Sequence, residues 1–302
     1  MRHPGRWVGI AVLAVIVTMF LHMLVTNGAF KWQFMSDNMF RPPVLRGATT
    51  SIYLTIFAML VGVGFGIVLA VMRLSPNPVI RGTAWVYTWF FRAVPRLVLC
   101  ILFGNLGILF EKTTRIDFGV PLGNLLGLPR GGSVFNTDVN TLLAGFTAGL
   151  LALAMSEAAY MAEIVRAGIL AVDPGQTEAA QALGMSRLLT LRRIVLPQAM
   201  RVILPPTGNE TIAMLKDTAL VAYVPVSSEL FFQLRAIGAS TFKVFPMLVA
   251  ATLWYVALTS VLMVGQYFLE KRFSRGVAGR SRRGRSPRPA PAVPVGGMGG
   301  MS

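Results

Sequence analysis

Four stretches of this chain contain no Asp, Glu, Lys or Arg, and they constrain its fold more than any other feature. Each is 18 to 26 residues long. A helix needs about 20 predominantly apolar residues to cross the hydrocarbon core of a bilayer. We therefore predict membrane-spanning helices at Trp7–Phe30, Gly47–Met72, Val139–Ser156 and Val244–Leu269.

Two further apolar runs are interrupted by charged residues, one from about 83 to 110 and one from about 198 to 225. The charges deepest inside them are Arg92, Arg96, Glu210, Lys216 and Asp217, while Arg201 lies at the cytoplasmic start of the second run. Counting both runs as spans predicts an all-α fold, a polytopic membrane bundle of about six helices. The first run of the chain could instead be a signal peptide. Its apolar part exceeds the usual ~7–15 residues and no small-residue cleavage site follows, so we expect a retained helix.

The composition agrees with a membrane protein and excludes other classes. Charged residues make up 13% of the chain and the mean hydropathy is +0.63, whereas soluble domains carry about 25% charged residues. The net charge of +16 could indicate nucleic-acid binding, but eight basic residues lie between Lys271 and Arg288 and most others flank apolar runs. Membrane proteins distribute Lys and Arg in this way. We therefore expect a membrane as partner and no nucleic acid.

Basic residues in the loops predict the orientation. With the N-terminus inside, 17 Lys and Arg residues lie on the cytoplasmic side and 8 on the external side. This excess favours a prokaryotic cell-membrane protein with both termini in the cytoplasm. The predicted parts are an N-terminal helix with its external loop (1–46), a transmembrane core (47–273) and a basic tail (274–302). The tail is rich in Arg, Gly, Ser and Pro, and we expect it to be disordered.

The residues required for common catalytic and cofactor sites are missing. The chain has no Gly-Lys pair and therefore no phosphate-binding loop. Its only histidines are His3 and His22, and its one cysteine, Cys100, lies in an apolar run. We predict no catalytic residues, no metal site and no cofactor. If transport is driven by ATP, another polypeptide must hydrolyse it.

A polar segment between the fourth and fifth predicted spans has strong helix signals. Asp173 can cap a helix that begins at Pro174, and Gly184 suits a left-handed C-terminal stop. Ser186 can cap a second helix. The first helix is short and rich in alanine, so it could enter a groove on another protein, with Glu178 available for one specific ion pair. An ordinary surface helix is the alternative.

This segment resembles the signature loop of ATP-binding-cassette (ABC) importer permeases. The matching residues are Glu178, Ala179, Ala180, Gly184, Ile194, Leu196 and Pro197, with every spacing met. Flanking blocks at 158–166, 174–176, 196–199, 204–209 and 215–220 resemble the polar amino acid branch. The resemblance implies a coupling helix seated on an ATPase subunit, with coupling residues Glu178, Ala179, Ala180, Gly184 and Pro197. It also implies an external substrate-binding protein and a second permease copy or paralogue.

One block departs from the pattern of that branch. The branch usually has Arg-Gly-Thr-Pro, whereas this chain has Arg92-Ala93-Val94-Pro95 followed by Arg96. Together with Phe91, this block resembles permeases of the glutamate type. The resemblance therefore implies a polar amino acid as substrate and gives an acidic one a weak preference.

Charged residues at membrane depth usually face a cavity or a partner. An amino acid substrate needs partners of both signs, so we predict substrate contacts among a set of five residues. They are Arg92, Glu157, Glu210, Lys216 and Asp217. For any one of them, internal ion pairing is the alternative. Arg96 is a further cation that could serve the substrate, and extension of its side chain to the cytoplasmic lipid surface is the alternative for it.

Two local patterns predict packing rather than function. Glu163 and Arg166 are three residues apart, so they can pair on one helix face. Gly62 and Gly66 allow two helix backbones to approach closely inside the chain. Two other functions remain open at this stage, an ion-coupled secondary transporter and a structural membrane subunit. The first is expected to show inverted repeats, which the sequence does not reveal.

Overall fold

The computed structural model describes residues 4–109, 115–118, 135–138, 145–224 and 226–274. The helices in these ranges are α1 Pro4–Thr26, α2 Trp32–Met39, α3 Pro42–Arg73, α4 Pro78–Ala93, α5 Arg96–Asn105, α6 Gly145–Leu170, α7 Pro174–Ala182, α8 Arg187–Thr190, α9 Leu196–Asp217, α10 Leu230–Ser240 and α11 Val244–Ser274. Two short strands, β1 Arg115–Phe118 and β2 Phe135–Asp138, pair antiparallel. The predicted all-α membrane bundle is confirmed, with this one small ladder added in the described ranges. The predicted disordered tail lies outside them, apart from Ser274.

Four of the described helices are long and apolar enough to cross a bilayer, namely α1, α3, α6 and α11. The predicted span at 139–156 extends further than expected at its C-terminal end, because α6 continues to Leu170. Residues 139–144 lie outside the described residues. The sequence estimate stopped at the first acidic residue, but the charges that follow are paired inside the protein and the helix therefore continues past them. The fifth predicted span, from about 198 to 225, corresponds to α9 followed by a 3₁₀ turn from Thr218 to Tyr223, and α9 is not among these four helices.

The run predicted as one span from about 83 to 110 is two helices, α4 and α5, bent by 102°. The break is at Val94, which has an extended backbone, and at Pro95. A proline disfavours helical backbone at the residue before it, and its ring removes an N–H donor. The bend makes Arg96 the first residue of α5 and turns its side chain towards α6 and α9.

Two glycines of α3 let this helix pack closely against α6. A methyl group added to Gly62 would lie 2.7 Å from Cβ of Glu157, and one added to Gly66 would lie 2.6 Å from Cβ of Met161. The glycine pair therefore serves internal packing, as predicted. Leu54 and Ala58 of α3 are also buried against α6 and α9 in the main apolar cluster. In contrast, no residue in the apolar window of α1 is buried against the described chain.

A buried carboxylate ties α10 to α3 and α11. Glu229 precedes α10, is fully buried, and accepts hydrogen bonds from the Ser51 hydroxyl (2.9 Å), the Tyr255 hydroxyl (2.6 Å) and the Phe232 N–H (3.1 Å). Burial raises the pKa of the Glu229 carboxyl, although all three donors act to lower it. This group fixes the N-terminus of α10 between two spanning helices.

Candidate functional site

Three carboxylates from two helices converge on one arginine inside the bundle. Arg96 Nη1 lies 2.5 Å from Asp217 Oδ2. Its Nη2 lies 3.0 Å from Glu157 Oε2 and 3.3 Å from Glu210 Oε2. The guanidinium carbon also lies 4.8 Å from the ring centroid of Tyr160, a distance typical of a cation–π contact. We call Arg96, Glu157, Glu210 and Asp217 the arginine–carboxylate cluster.

The arginine–carboxylate cluster is short of positive charge. Three carboxylates and one guanidinium leave an excess of two negative charges when all four groups are ionised. The Glu157 side chain is completely buried, and Arg96 is only 13% exposed. The second oxygen of Glu157, Oε1, is buried and has no hydrogen-bond partner in the described structure. Buried charge without a partner is costly, so the cluster is suited to a second cation or N–H donor.

The cluster lies at membrane depth. Glu157 is close to the midpoint of α6, which has 26 residues. At 1.5 Å per residue, about 18 Å of helix extends on either side of it, and the hydrocarbon core is about 30 Å thick. Glu210 and Asp217 lie on α9, which packs against α6 through residues such as Ala199 and Ile203. The cluster is therefore anchored near the middle of a helix that is long and apolar enough to span a bilayer.

The structure brings together three of the five predicted substrate-contact residues and separates the other two. Glu157, Glu210 and Asp217 form the cluster. Arg92 is exposed, and its guanidinium carbon lies 5.6 Å from the Tyr160 ring centroid. Lys216 is exposed as well and lines a different pocket, between α9 and α11, with Gln266 and Glu270.

Arg96 was the residue that sequence reasoning misplaced. It was left out of the predicted substrate contacts, with the lipid surface as the alternative to a role as a cation, but it is the centre of the cluster. The signal that could have found it is the proline immediately before it. A helix break at Pro95 means that Arg96 does not share the helix of Arg92 and can point in a different direction.

A second group of ion pairs joins α3 to α6 and is centred on Glu163, which follows Glu157 along α6. Glu163 accepts hydrogen bonds from Arg166 Nη2 (2.7 Å) and from Arg73 Nη2 (3.0 Å). The predicted pairing of Glu163 with Arg166 is confirmed, and Arg73 from the end of α3 is an additional partner. Since one carboxylate faces two arginines, this group is saturated with cations, unlike the arginine–carboxylate cluster.

The helix α7 follows α6 and has the ends that the sequence predicted. Asp173 Oδ1 accepts a hydrogen bond from the Gly175 N–H at 2.8 Å, and Pro174 occupies the first turn. After the helix, Gly184 has a φ of +78°, a conformation that residues with a side chain rarely adopt. Ser186 then caps α8 through the Leu189 N–H.

The predicted coupling residues do not all face outward. Glu178, Ala179 and Gly184 are exposed, as is Pro197 at the start of α9. Ala180 is 4% exposed and packs against its own chain. Two leucines close to Gly184 are strongly exposed, Leu183 at 83% and Leu188 at 76%. This apolar pair beside α7 was not identified from the sequence, and it is typical of a surface that another protein covers.

Comparisons with known proteins agree with this architecture. Residues 62–275 match the family model described as binding-protein-dependent transport system inner membrane component. The arginine transport system permease protein ArgU of Corynebacterium glutamicum is 44% identical over 277 residues, which cover 91% of this chain and 82% of the relative. The probable glutamine ABC transporter permease protein GlnM of Bacillus subtilis is 30% identical and covers 70% of this chain and 83% of its own length.

One solved structure is similar in both sequence and fold. It is described as an amino acid ABC transporter with histidines and is 33% identical to this chain. The TM-score is 0.61, and the match covers 76% of this chain and 94% of that one. These likenesses favour a permease of an ABC importer over an ion-coupled transporter or a structural subunit.

Proposed function

Because this chain belongs to the family of binding-protein-dependent transport system inner membrane components, we propose that it forms the pathway for a cationic amino acid in an ABC importer. Its relatives are permease subunits of amino acid ABC transporters. The substrates in their names, arginine and glutamine, differ in charge, so the relatives alone do not decide the charge of the substrate. The charges of the site support the choice of a cation.

The carboxylate excess of the arginine–carboxylate cluster is the observation that carries this proposal. An acidic substrate would add a second carboxylate to a site that already has two surplus negative charges. A substrate with a guanidinium or ammonium side chain supplies a cation that these carboxylates can bind and can give Glu157 Oε1 a donor. The cationic proposal therefore replaces the weak preference for an acidic substrate that the Phe91–Pro95 block suggested.

The partners follow from the family and from the exposed surfaces. In this proposal α7 is the coupling helix, and a separate ATPase subunit covers Glu178, Ala179 and the exposed leucines beside Gly184. An external binding protein delivers the substrate to the opposite side, and a second permease copy or paralogue completes the pathway. Both chain termini then lie in the cytoplasm.

The proposal is tested by measuring substrate binding to the permease–ATPase complex alone. The external binding protein is omitted because its own substrate preference would mask that of the permease. The complex is placed in lipid nanodiscs, and binding of labelled arginine, lysine, glutamine and glutamate is measured. We expect arginine or lysine to bind at least about tenfold more tightly than glutamate, since one charge-assisted hydrogen bond contributes about 1.5–3 kcal/mol.

Charge-neutralising variants locate the binding site. Glu210→Gln and Asp217→Asn should each weaken cation binding, and Glu270→Gln, a carboxylate outside the cluster, is the matched control. Tighter binding of glutamate than of arginine or lysine would overturn the proposal. Equal effects of all three variants would remove the cluster from it.

A further inference from the structure

Arg96 occupies the place in the arginine–carboxylate cluster that the cationic group of a substrate would need. Its guanidinium is held by three carboxylates and lies beside the Tyr160 ring. We infer that Arg96 is an internal surrogate for the substrate, which holds the carboxylates while the pathway is empty and leaves them when a cationic amino acid arrives. This inference deepens the proposed function and rests on it.

The empty cluster needs such a cation. Without Arg96, three carboxylates would face one another at membrane depth, where like charges and desolvation both raise the free energy. A guanidinium suits them well, because its planar fork presents several N–H donors to carboxylates and its face can lie on an aromatic ring. The same features describe the side chain of a guanidinium-bearing substrate.

Exchange of one cation for another conserves the charge of the cluster. With Arg96 in place the excess is two negative charges, and with Arg96 withdrawn and a cationic side chain bound it is again two. A substrate with a neutral side chain would leave three uncompensated carboxylates if it displaced Arg96. Arg96 thus favours cationic substrates by making the site unavailable to those that cannot replace its charge.

Arg96 and the three carboxylates lie on different helices, so the Arg96 side chain can leave without moving the side chains it pairs with. Glu157 lies on α6, and Glu210 and Asp217 lie on α9, two helices that pack against each other. Arg96 lies on α5, directly after the break at Val94 and Pro95 and its 102° bend. A change in the side-chain torsions of Arg96 would withdraw the guanidinium and leave the three carboxylates in position, while Leu99 and Cys100 keep α5 packed in the core.

An internal surrogate predicts that removing it strengthens substrate binding. A site that Arg96 occupies for about 90% of the time binds substrate about tenfold more weakly than an open site. In nanodiscs containing the permease–ATPase complex, Arg96→Gln should therefore bind labelled arginine at least about tenfold more tightly than the unaltered protein. Arg81→Gln, an exposed arginine on α4, is the matched control and should not change the affinity.

Competition by free methylguanidinium chloride tests whether the position that the Arg96 guanidinium occupied is open in Arg96→Gln. Methylguanidinium should displace labelled arginine from Arg96→Gln at lower concentrations than from the unaltered protein. Arg96→Lys is the reserve variant if Arg96→Gln does not assemble, as judged by thermal unfolding. An ammonium lacks the planar fork and competes less well, so this variant should also bind arginine more tightly than the unaltered protein.

The outcomes separate this inference from the proposed function. If the unaltered complex binds arginine and the Arg96 variants bind it equally well or more weakly, Arg96 is a structural tie or a substrate contact and the inference is overturned. If the complex binds neither arginine nor lysine with or without Arg96, the proposed function fails as well.

Discussion

The substitution Gly62→Ala tests whether close packing of α3 against α6 holds the arginine–carboxylate cluster in place. The added methyl carbon would lie 2.7 Å from both Cβ and Cγ of Glu157 and 3.4 Å from the carbonyl oxygen of Ala154. Carbon atoms in favourable contact are about 3.5–4.0 Å apart. Since the clash involves atoms close to the backbone, α6 must move away from α3 by about 1 Å.

The loss of stability caused by the clash at Gly62 can be isolated by comparison with Gly64→Ala on the same helix. A methyl group at Gly64 meets no atom within 4 Å. Replacing glycine by alanine inside a helix stabilises it by about 0.5–1 kcal/mol, and this gain is common to both variants. The difference between them is therefore the overpacking cost at Gly62, about 1–3 kcal/mol.

The same shift affects substrate binding. A displacement of about 1 Å would stretch the 3.0 Å bond between Glu157 and Arg96 beyond hydrogen-bonding distance. We expect Gly62→Ala in nanodiscs to unfold at a lower temperature than Gly64→Ala and to bind arginine with altered affinity, while Gly64→Ala binds it normally. Equal stability and equal binding of the two variants would refute the packing argument.

The remaining predictions concern coupling, the α10 anchor and orientation. Gly184→Trp forces a bulky residue into a left-handed backbone at the predicted ATPase surface, so membrane insertion should persist while uptake is lost; normal substrate-stimulated ATP hydrolysis would contradict this. Tyr255→Phe removes a donor to the buried Glu229 carboxylate and should lower the free energy of unfolding by about 1–3 kcal/mol; an unchanged melting temperature would exclude that role. A cysteine at Ser240 should react with an impermeant reagent from outside and one at Ala179 should not, and the reverse pattern would invert the orientation.

Features encoded by neighbouring residues could be predicted from the sequence. The ends of α7 depend on Asp173, Pro174 and Gly184, which act within one turn of the helix. The pair of Glu163 and Arg166 depends only on their spacing. In each case the short range of the interaction makes the pattern readable without the fold.

The arginine–carboxylate cluster could be predicted only in part. Acidic residues inside apolar runs identified Glu157, Glu210 and Asp217, because charge at membrane depth is informative wherever it occurs. The choice of Arg92 over Arg96 followed a motif and treated the run as one straight helix. The contact of Arg96 with Glu157 spans 61 residues and exists only because of the bend, so no local pattern specified it.

In the proposed mechanism, the arginine–carboxylate cluster receives the cationic group of the substrate. Electron cryomicroscopy of the permease–ATPase complex in nanodiscs, with and without arginine, tests this claim most directly. We predict that the substrate guanidinium lies within about 3.2 Å of Glu157 Oε1 or of the other cluster carboxylates, with the Arg96 side chain withdrawn from at least one of them. Substrate density located elsewhere, for instance beside Lys216 and Glu270, with Arg96 still bound to all three carboxylates, would contradict the account.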